Sequence, residues 1–274
     1  MITTIPPRLW IVHRPETHHA LIIRRGPGKV TGFFGWNRRT NEVTVGQWMK
    51  SKVYPFRADI SPKGTYLIYF SLNGYWNSET KGAYTAVSRY PYLKALDLWP
   101  KGDAWHGGGL FVSEKEYVLN GFYIDKPLHQ SGKFKISGTM PPSPVLSGED
   151  PGIYFPKLLR DGWEYTETRE EGPGKIHRFV KAINRQLTLE KSFHVSLNSP
   201  PGKGVYYETH KIKGIDDAAF GATDLENLDV YRSQLFWTNA GQLFTARFKQ
   251  NQVSAPVLVH DFNQYEFTAI AAPY

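Results

Sequence analysis

Short runs of β-branched and aromatic residues, each cut off by Gly, Pro, Asn or Ser, follow one another from residue 9 to residue 270. No segment sustains an apolar period of 3.6 residues. That pattern builds short strands and tight turns, and it leaves little material for helices. The clearest unit is Ala58-Asp59-Ile60-Ser61-Pro62-Lys63-Gly64-Thr65-Tyr66-Leu67-Ile68-Tyr69-Phe70. It reads as strand, turn, strand, with Pro62 presetting φ and Gly64 supplying a positive φ. Only residues 92–98 and 155–161 suggest short helices. The expected class is all-β.

The first quarter of the chain reads as four strands, at residues 9–12, 20–23, 31–36 and 42–48. The turns between them are 14–18, 26–28 and 37–41. Four short strands with tight connections make up one blade of a β-propeller. The same rhythm returns at residues 110–119, 195–207 and 234–248, the last with a hairpin at Asn239-Ala240-Gly241. Gly26-Pro27-Gly28-Lys29-Val30 is also echoed by Gly172-Pro173-Gly174-Lys175-Ile176.

The segment Asp59-x-Ser61-Pro62-x-Gly64-x-Tyr66-Leu67-x-Tyr69 resembles the blade motif of TolB-like and WD-type β-propellers. The stretches Leu98-Trp99-Pro100-Lys101-Gly102-Asp103-Ala104-Trp105 and Gly107-Gly108-Gly109-Leu110-Phe111 are similar to parts of uncharacterised bacterial propeller-like proteins. The resemblance implies radial repetition and no particular activity. The reading is a β-propeller of five blades, with six as the alternative, in one domain over residues 1–274 and with a long loop near 125–152. Residues 8–13 and 256–271 should share a blade and so close the ring. Leu67, Tyr69, Val118, Tyr206, Phe236 and Phe244 should be buried.

Composition removes several chemistries. The chain has no cysteine, which excludes disulfides, thiol nucleophiles, iron–sulfur clusters and cysteine-bound zinc. The start lacks the basic and apolar regions of an export signal, and no apolar run is long enough for a bilayer. These features suggest a cytoplasmic chain with no membrane partner. Of 33 basic and 25 acidic residues, eleven and three fall within residues 1–63, so the whole net charge of +8 sits there. Arg24, Arg25, Arg38, Arg39, Lys50 and Lys52 form the expected basic patch, and an anionic partner is one reading of it. A solvated face is the other. Arg24 and Arg25, being adjacent on a strand, should point to opposite faces.

The stretch most suggestive of a site is Trp99 to Gly109. Trp99, Asp103, Trp105 and His106 offer stacking rings, a carboxylate and a titratable group, and three consecutive glycines let the backbone approach something closely. The competing reading is a loop whose tryptophans pack inward. The segment should run from the outer part of a blade across one face, with Trp105 or His106 beside the largest pocket. The nine histidines show no metal-binding spacing, and His18 and His19 should diverge on a strand, so neither metal nor cofactor is expected. A Gly-x-Ser-x-Gly elbow and a phosphate loop are both missing, and no recognition helix supports sequence-specific DNA reading. Asp59, Asp103 and Asp224 are the candidate carboxylates of a propeller glycosidase, although Asp59 should cap its own turn. Two classes stay open on the residues alone. One is a non-enzymatic binding or scaffold propeller recruiting a protein or an anionic ligand. The other is a carbohydrate- or small-molecule-active hydrolase with carboxylates near the central axis.

Overall fold

The computed structural model describes residues 5–26, 28–123, 125–145, 147–215 and 224–274. Met1–Thr4 and Pro27 of the segments read above lie outside the described residues. The protein is all-β, 48% strand and 5% helix, with several antiparallel sheets. No helix among the described residues is long and apolar enough to cross a membrane. The chain divides into two compact units, Met1–Lys157 with Gln264–Tyr274, and Leu158–Asn263.

In the first unit β1 (Arg8–His13), β2 (His19–Arg25), β3 (Thr31–Asn37) and β4 (Val43–Met49) form one antiparallel sheet in sequence order. All four match the expected runs. Leu21, Ile22, Ile23, Phe33, Phe34 and Trp36 are buried, so the middle strands are covered on both faces.

The next strands are β5 (Lys52–Val53), β6 (Asp59–Ile60), β7 (Tyr66–Leu72), β8 (Ala83–Arg89), β9 (Ala95–Pro100), β10 (Gly109–Ser113), β11 (Glu116–Leu119), β12 (His129–Gln130) and β13 (Lys135–Ser137). The order β12-β9-β8-β7-β5 makes a second sheet, and β6 pairs with β7; β10-β11-β13 makes a third. The β11–β13 pairing is parallel. The third sheet uses both faces. Phe111 and Tyr117 pack with Ile68 and Val87 of the second sheet, while Leu110 and Val118 pack on Ile153.

Ile153 lies on α1 (Asp150–Arg160). Residues 155–161 were expected to be helical and mostly are, within a longer helix. Residues 92–98 are not: Ala95 begins β9, and its pairing with β8 overrides the local pattern. The expected long loop holds the two short strands β12 and β13 before the helix begins.

The turn at residues 61–64 forms as read, with Gly64 N–H donating to Ser61 O at 2.8 Å. Its cap is Ser61 rather than Asp59. Ser61 Oγ accepts from the amides of Thr65 and Tyr66, whereas the buried Asp59 accepts from Phe111 N–H on the neighbouring sheet.

The second unit contains the sheet β14 (Glu164–Glu171), β15 (Gly174–Ala182), β16 (Thr188–Val195) and β17 (Tyr206–Lys213), again in sequence order. A further sheet holds β18 (Glu226–Tyr231), β19 (Gln234–Asn239), β20 (Gln242–Lys249), β21 (Gln252–Val253) and β22 (Val257–Asp261). The Gly-Pro-Gly-Lys echoes fall at unlike places, between second and third strands in one sheet and first and second in the other. They are turn chemistry rather than a repeat mark.

Leu67, Tyr69, Val118 and Phe236 are buried as expected, and Tyr206 and Phe244 are half-buried. The expected sharing of a sheet by residues 8–13 and 256–271 is not found. β1 lies in the first sheet and β22 pairs with β20. Residues 264–274 form no strand; side chains hold them to the first unit instead. Gln47 Nε2 donates to Ile270 O at 2.6 Å, and the Tyr265 ring meets Phe34 edge-on.

Candidate functional site

The segment after β9 is built around a buried arginine that the sequence did not single out. Arg57 ends a 3-10 turn at Pro55–Arg57. Its guanidinium lies against the rings of Tyr54 and Phe70, at 4.6 and 5.3 Å. Nη1 donates to the carbonyls of Ala104 and His106, at 2.8 and 2.7 Å, and Nε donates to Asp150 at the start of α1. Burial pushes the Asp150 carboxyl up, against the pull of the Arg57 charge.

The three glycines make close approaches to the chain itself. A Cβ on Gly107 would lie 2.3 Å from the Phe70 ring, one on Gly108 2.3 Å from Arg57 O, and one on Gly109 2.2 Å from Val118 O. No L side chain fits such gaps. The run therefore serves to dock this loop on the sheet.

Asp103 shapes the turn above that anchor. Oδ1 accepts from the amides of Trp105 and His106, at 2.9 and 3.1 Å, and Oδ2 accepts from Lys101 Nζ at 2.8 Å. Partial burial would raise its carboxyl, but the Lys101 hydrogen bond, the two amides and the Lys101 charge outweigh that and hold it below its usual range. Asp103 is thus ionised and neutralised. Lys101 also donates to Phe122 O and lies over the Tyr123 ring.

The four expected site residues part company. Trp99 is buried, and its indole N–H donates to Tyr117 OH, which donates to the buried Asp97. Trp105 is 68% exposed. The His106 ring lies against Gly121 and Gly148, half-exposed.

A pocket of about 710 Å³ lies between β11 and the segment after β13. Trp99 lines it. Trp105 and His106 are not among its lining residues, although the His106 ring abuts Gly121, which is.

Three loops meet here. Lys81 pairs with Asp125 at 2.7 Å, Lys101 with Phe122 O at 2.8 Å, and a Cβ on Gly102 would lie 3.8 Å from the Lys81 Cβ. Besides Trp105, these loops expose Tyr75 (72%), Trp76 (55%) and Phe122 (89%). Composition announces many aromatics but not which ones stay outside, so these three could not be read from the sequence.

The basic residues do not form one exposed face. Arg38 is buried and donates to the carbonyls of Arg14 and Thr17, stitching the β3–β4 turn to the β1–β2 hairpin. Arg24 is buried over the Trp48 ring and donates to Gly26 O. Arg39, Lys50 and Lys52 are exposed and Arg25 is half-buried. Lys50 covers Phe267, and Lys52 covers Tyr54.

His18 and His19 do not diverge. His18 precedes β2, so strand alternation does not apply, and the rings are 4.1 Å apart. Burial, and then the neighbouring His18 and Arg38, lower the pKa of His19. Among the described residues no three His, Asp or Glu side chains group as metal ligands.

In the second unit, Lys191 on β16 places Nζ 3.0 Å from His210 Nε2 and 3.2 Å from Glu208, all three side chains buried. Lys181 and Lys191 flank the Trp163 ring, whose N–H donates to Asp229.

No protein-family model and no curated protein matches this sequence.

Proposed function

We propose that this chain is a non-enzymatic binding protein that recruits a protein partner through the aromatic loops at residues 73–82, 101–108 and 121–123. The observation that carries this reading is Trp105, held in solvent by a loop anchored on buried Arg57. Exposing a large apolar ring in a fixed place has no packing benefit, while Trp and Tyr dominate the energetics of protein docking. Tyr75, Trp76 and Phe122 extend the apolar surface on the adjoining loops.

The two lysines Lys101 and Lys81 are paired, with Asp103 and Asp125. They favour an uncharged contact over an anionic ligand. The hydrolase reading has less support. It needs one carboxyl kept protonated near a second that is ionised. Asp103 is held ionised, Asp59 is buried under Phe111 N–H, and Asp224 belongs to the second unit.

The fold reading that accompanies this is a five-bladed propeller. Five sheets are met in turn along the chain, β12 alone returning to an earlier one, and three of them hold four or five strands in near-sequential order, as blades do.

A photo-crosslinking residue at position 105 or 76, introduced in cells of the source organism, tests the function. The same discrete crosslinked species should form from both positions and not from exposed position 258. No discrete species, or an equal yield from position 258, would overturn the reading.

A further inference from the structure

The pocket beside these loops carries its own chemistry. Its wall includes Val118, Leu119, Phe122, Ile136, Met140 and Pro141. Among the described residues that line it there is no Asp, Glu, Lys, Arg or His.

Several polar side chains of the wall bond to the chain, and Ser137 Oγ accepts from Thr139 N–H at 3.4 Å. The Asn120 amide donates to the carbonyls of Gly107 and Gly148. The Ser143 hydroxyl donates to Val145 O at 2.7 Å, and Tyr123 OH shares a 2.7 Å hydrogen bond with Thr85 Oγ1. Ser147 Oγ accepts from Glu149 N–H. A charged ligand would lose its hydration there and find no counter-charge, whereas an apolar one would release water from an apolar wall.

Size fits as well. About 710 Å³ lies within the range of pockets that enclose a small ligand, roughly 300–1,000 Å³. Phe122, 89% exposed in the free protein, stands in the wall where such a ligand would cover it.

We infer that this pocket is a binding site for an uncharged, apolar small molecule, distinct from the partner surface around Trp105 but sharing Phe122 with it. The occupant is held by contact with the apolar wall, and the backbone around it is fixed by the bonds of Asn120 and by packing of Leu110 and Val118 on Ile153.

The test uses the neutral fluorophore N-phenyl-1-naphthylamine on the full chain. Saturable binding of one molecule per chain is expected. Gly138 lines the pocket, and a Cβ there meets nothing within 4 Å, so Gly138→Trp fills the space without a clash at its root. It should weaken the probe at least about tenfold. Phe122→Ala, which alters an exposed side chain, should weaken it several-fold and serves if the first variant does not fold. The anionic analogue 8-anilinonaphthalene-1-sulfonate should bind at least about tenfold more weakly than the neutral probe. Absence of saturable binding, equal affinity in both variants, or equal affinity for the anionic analogue would overturn the inference.

Discussion

Arg57 and Asp150, ninety-three residues apart in sequence, form a buried ion pair that ties the start of α1 to the loop carrying Trp105. Arg57 meets five groups at once, a carboxylate, two carbonyls and two aromatic rings. The exposed tryptophan thus inherits its position from the interior of the sheet. Removing one member of a buried pair leaves the other charge without compensation, at a cost of about 3–5 kcal/mol. Arg57→Met should therefore lower stability by an amount of that order. Replacing Asp150 by Leu in the same chain should recover part of the loss. Urea unfolding of the two variants checks both, and amide exchange at residues 104–108 should rise in the single variant.

Leu67 lies on β7 with no exposed surface. Truncating a leucine so enclosed removes its burial and leaves a cavity, worth about 2–5 kcal/mol. Leu67→Ala should show that loss in chemical denaturation, and a change below about 1 kcal/mol would mean that β7 is packed more loosely than described.

The hairpin between β19 and β20 turns on Ala240 and Gly241, both at positive φ, 48° and 79°. Alanine is strained there, and the two-residue turn that needs this geometry favours Asn-Gly. Ala240→Asn should stabilise the protein by about 0.5–1 kcal/mol, seen as a higher midpoint of thermal unfolding.

Acid should weaken the second unit. His210 is buried, and desolvation, with Lys191 beside it, lowers its pKa well below the usual 6.5. A histidine kept neutral in the folded chain but free to charge in the unfolded one stabilises fully above pH 6.5. That stability is lost as pH falls below 6.5 toward the folded value. The groups facing it are Lys191 and Glu208, with Asp229 and Lys203 farther off. His177 and His194 of the same sheet shift the same way. Unfolding measured from pH 7.5 to 5 should show falling stability, with a shallower slope in His210→Gln. An unchanged slope in that variant would assign the effect to the other two histidines.

How far the sequence carries can be seen at particular elements. The strands β1–β4 are legible because each is a β-prone run between turn residues, and the turn at Ser61 because its chemistry is local. Residues 267–270 read equally well as a strand and are not one. Their backbone is met by the Gln47 side chain rather than by a paired strand, and local propensity carries no information about whether a partner exists. The segment Trp99 to Gly109 was legible as unusual, but its meaning was not. The glycines answer to Phe70, Arg57 and Val118, contacts made from 9 to 51 residues away. The basic patch fails for a related reason. Composition places charges in a segment, while Arg38 goes wherever unsatisfied carbonyls lie. Exposure of Trp105 beside burial of Trp99 depends on which face the third sheet covers, and no spacing rule encodes that.

The central claim is that Trp105 is held outside for contact and not for packing. The direct test pairs Trp105→Ala with the crosslinker at position 76, reading thermal stability and crosslinked product together. A 68% exposed side chain should cost less than about 0.5 kcal/mol on removal, so the unfolding midpoint should hardly move while the crosslinked species falls sharply. A large drop in the midpoint, or an undiminished crosslink, would contradict the account.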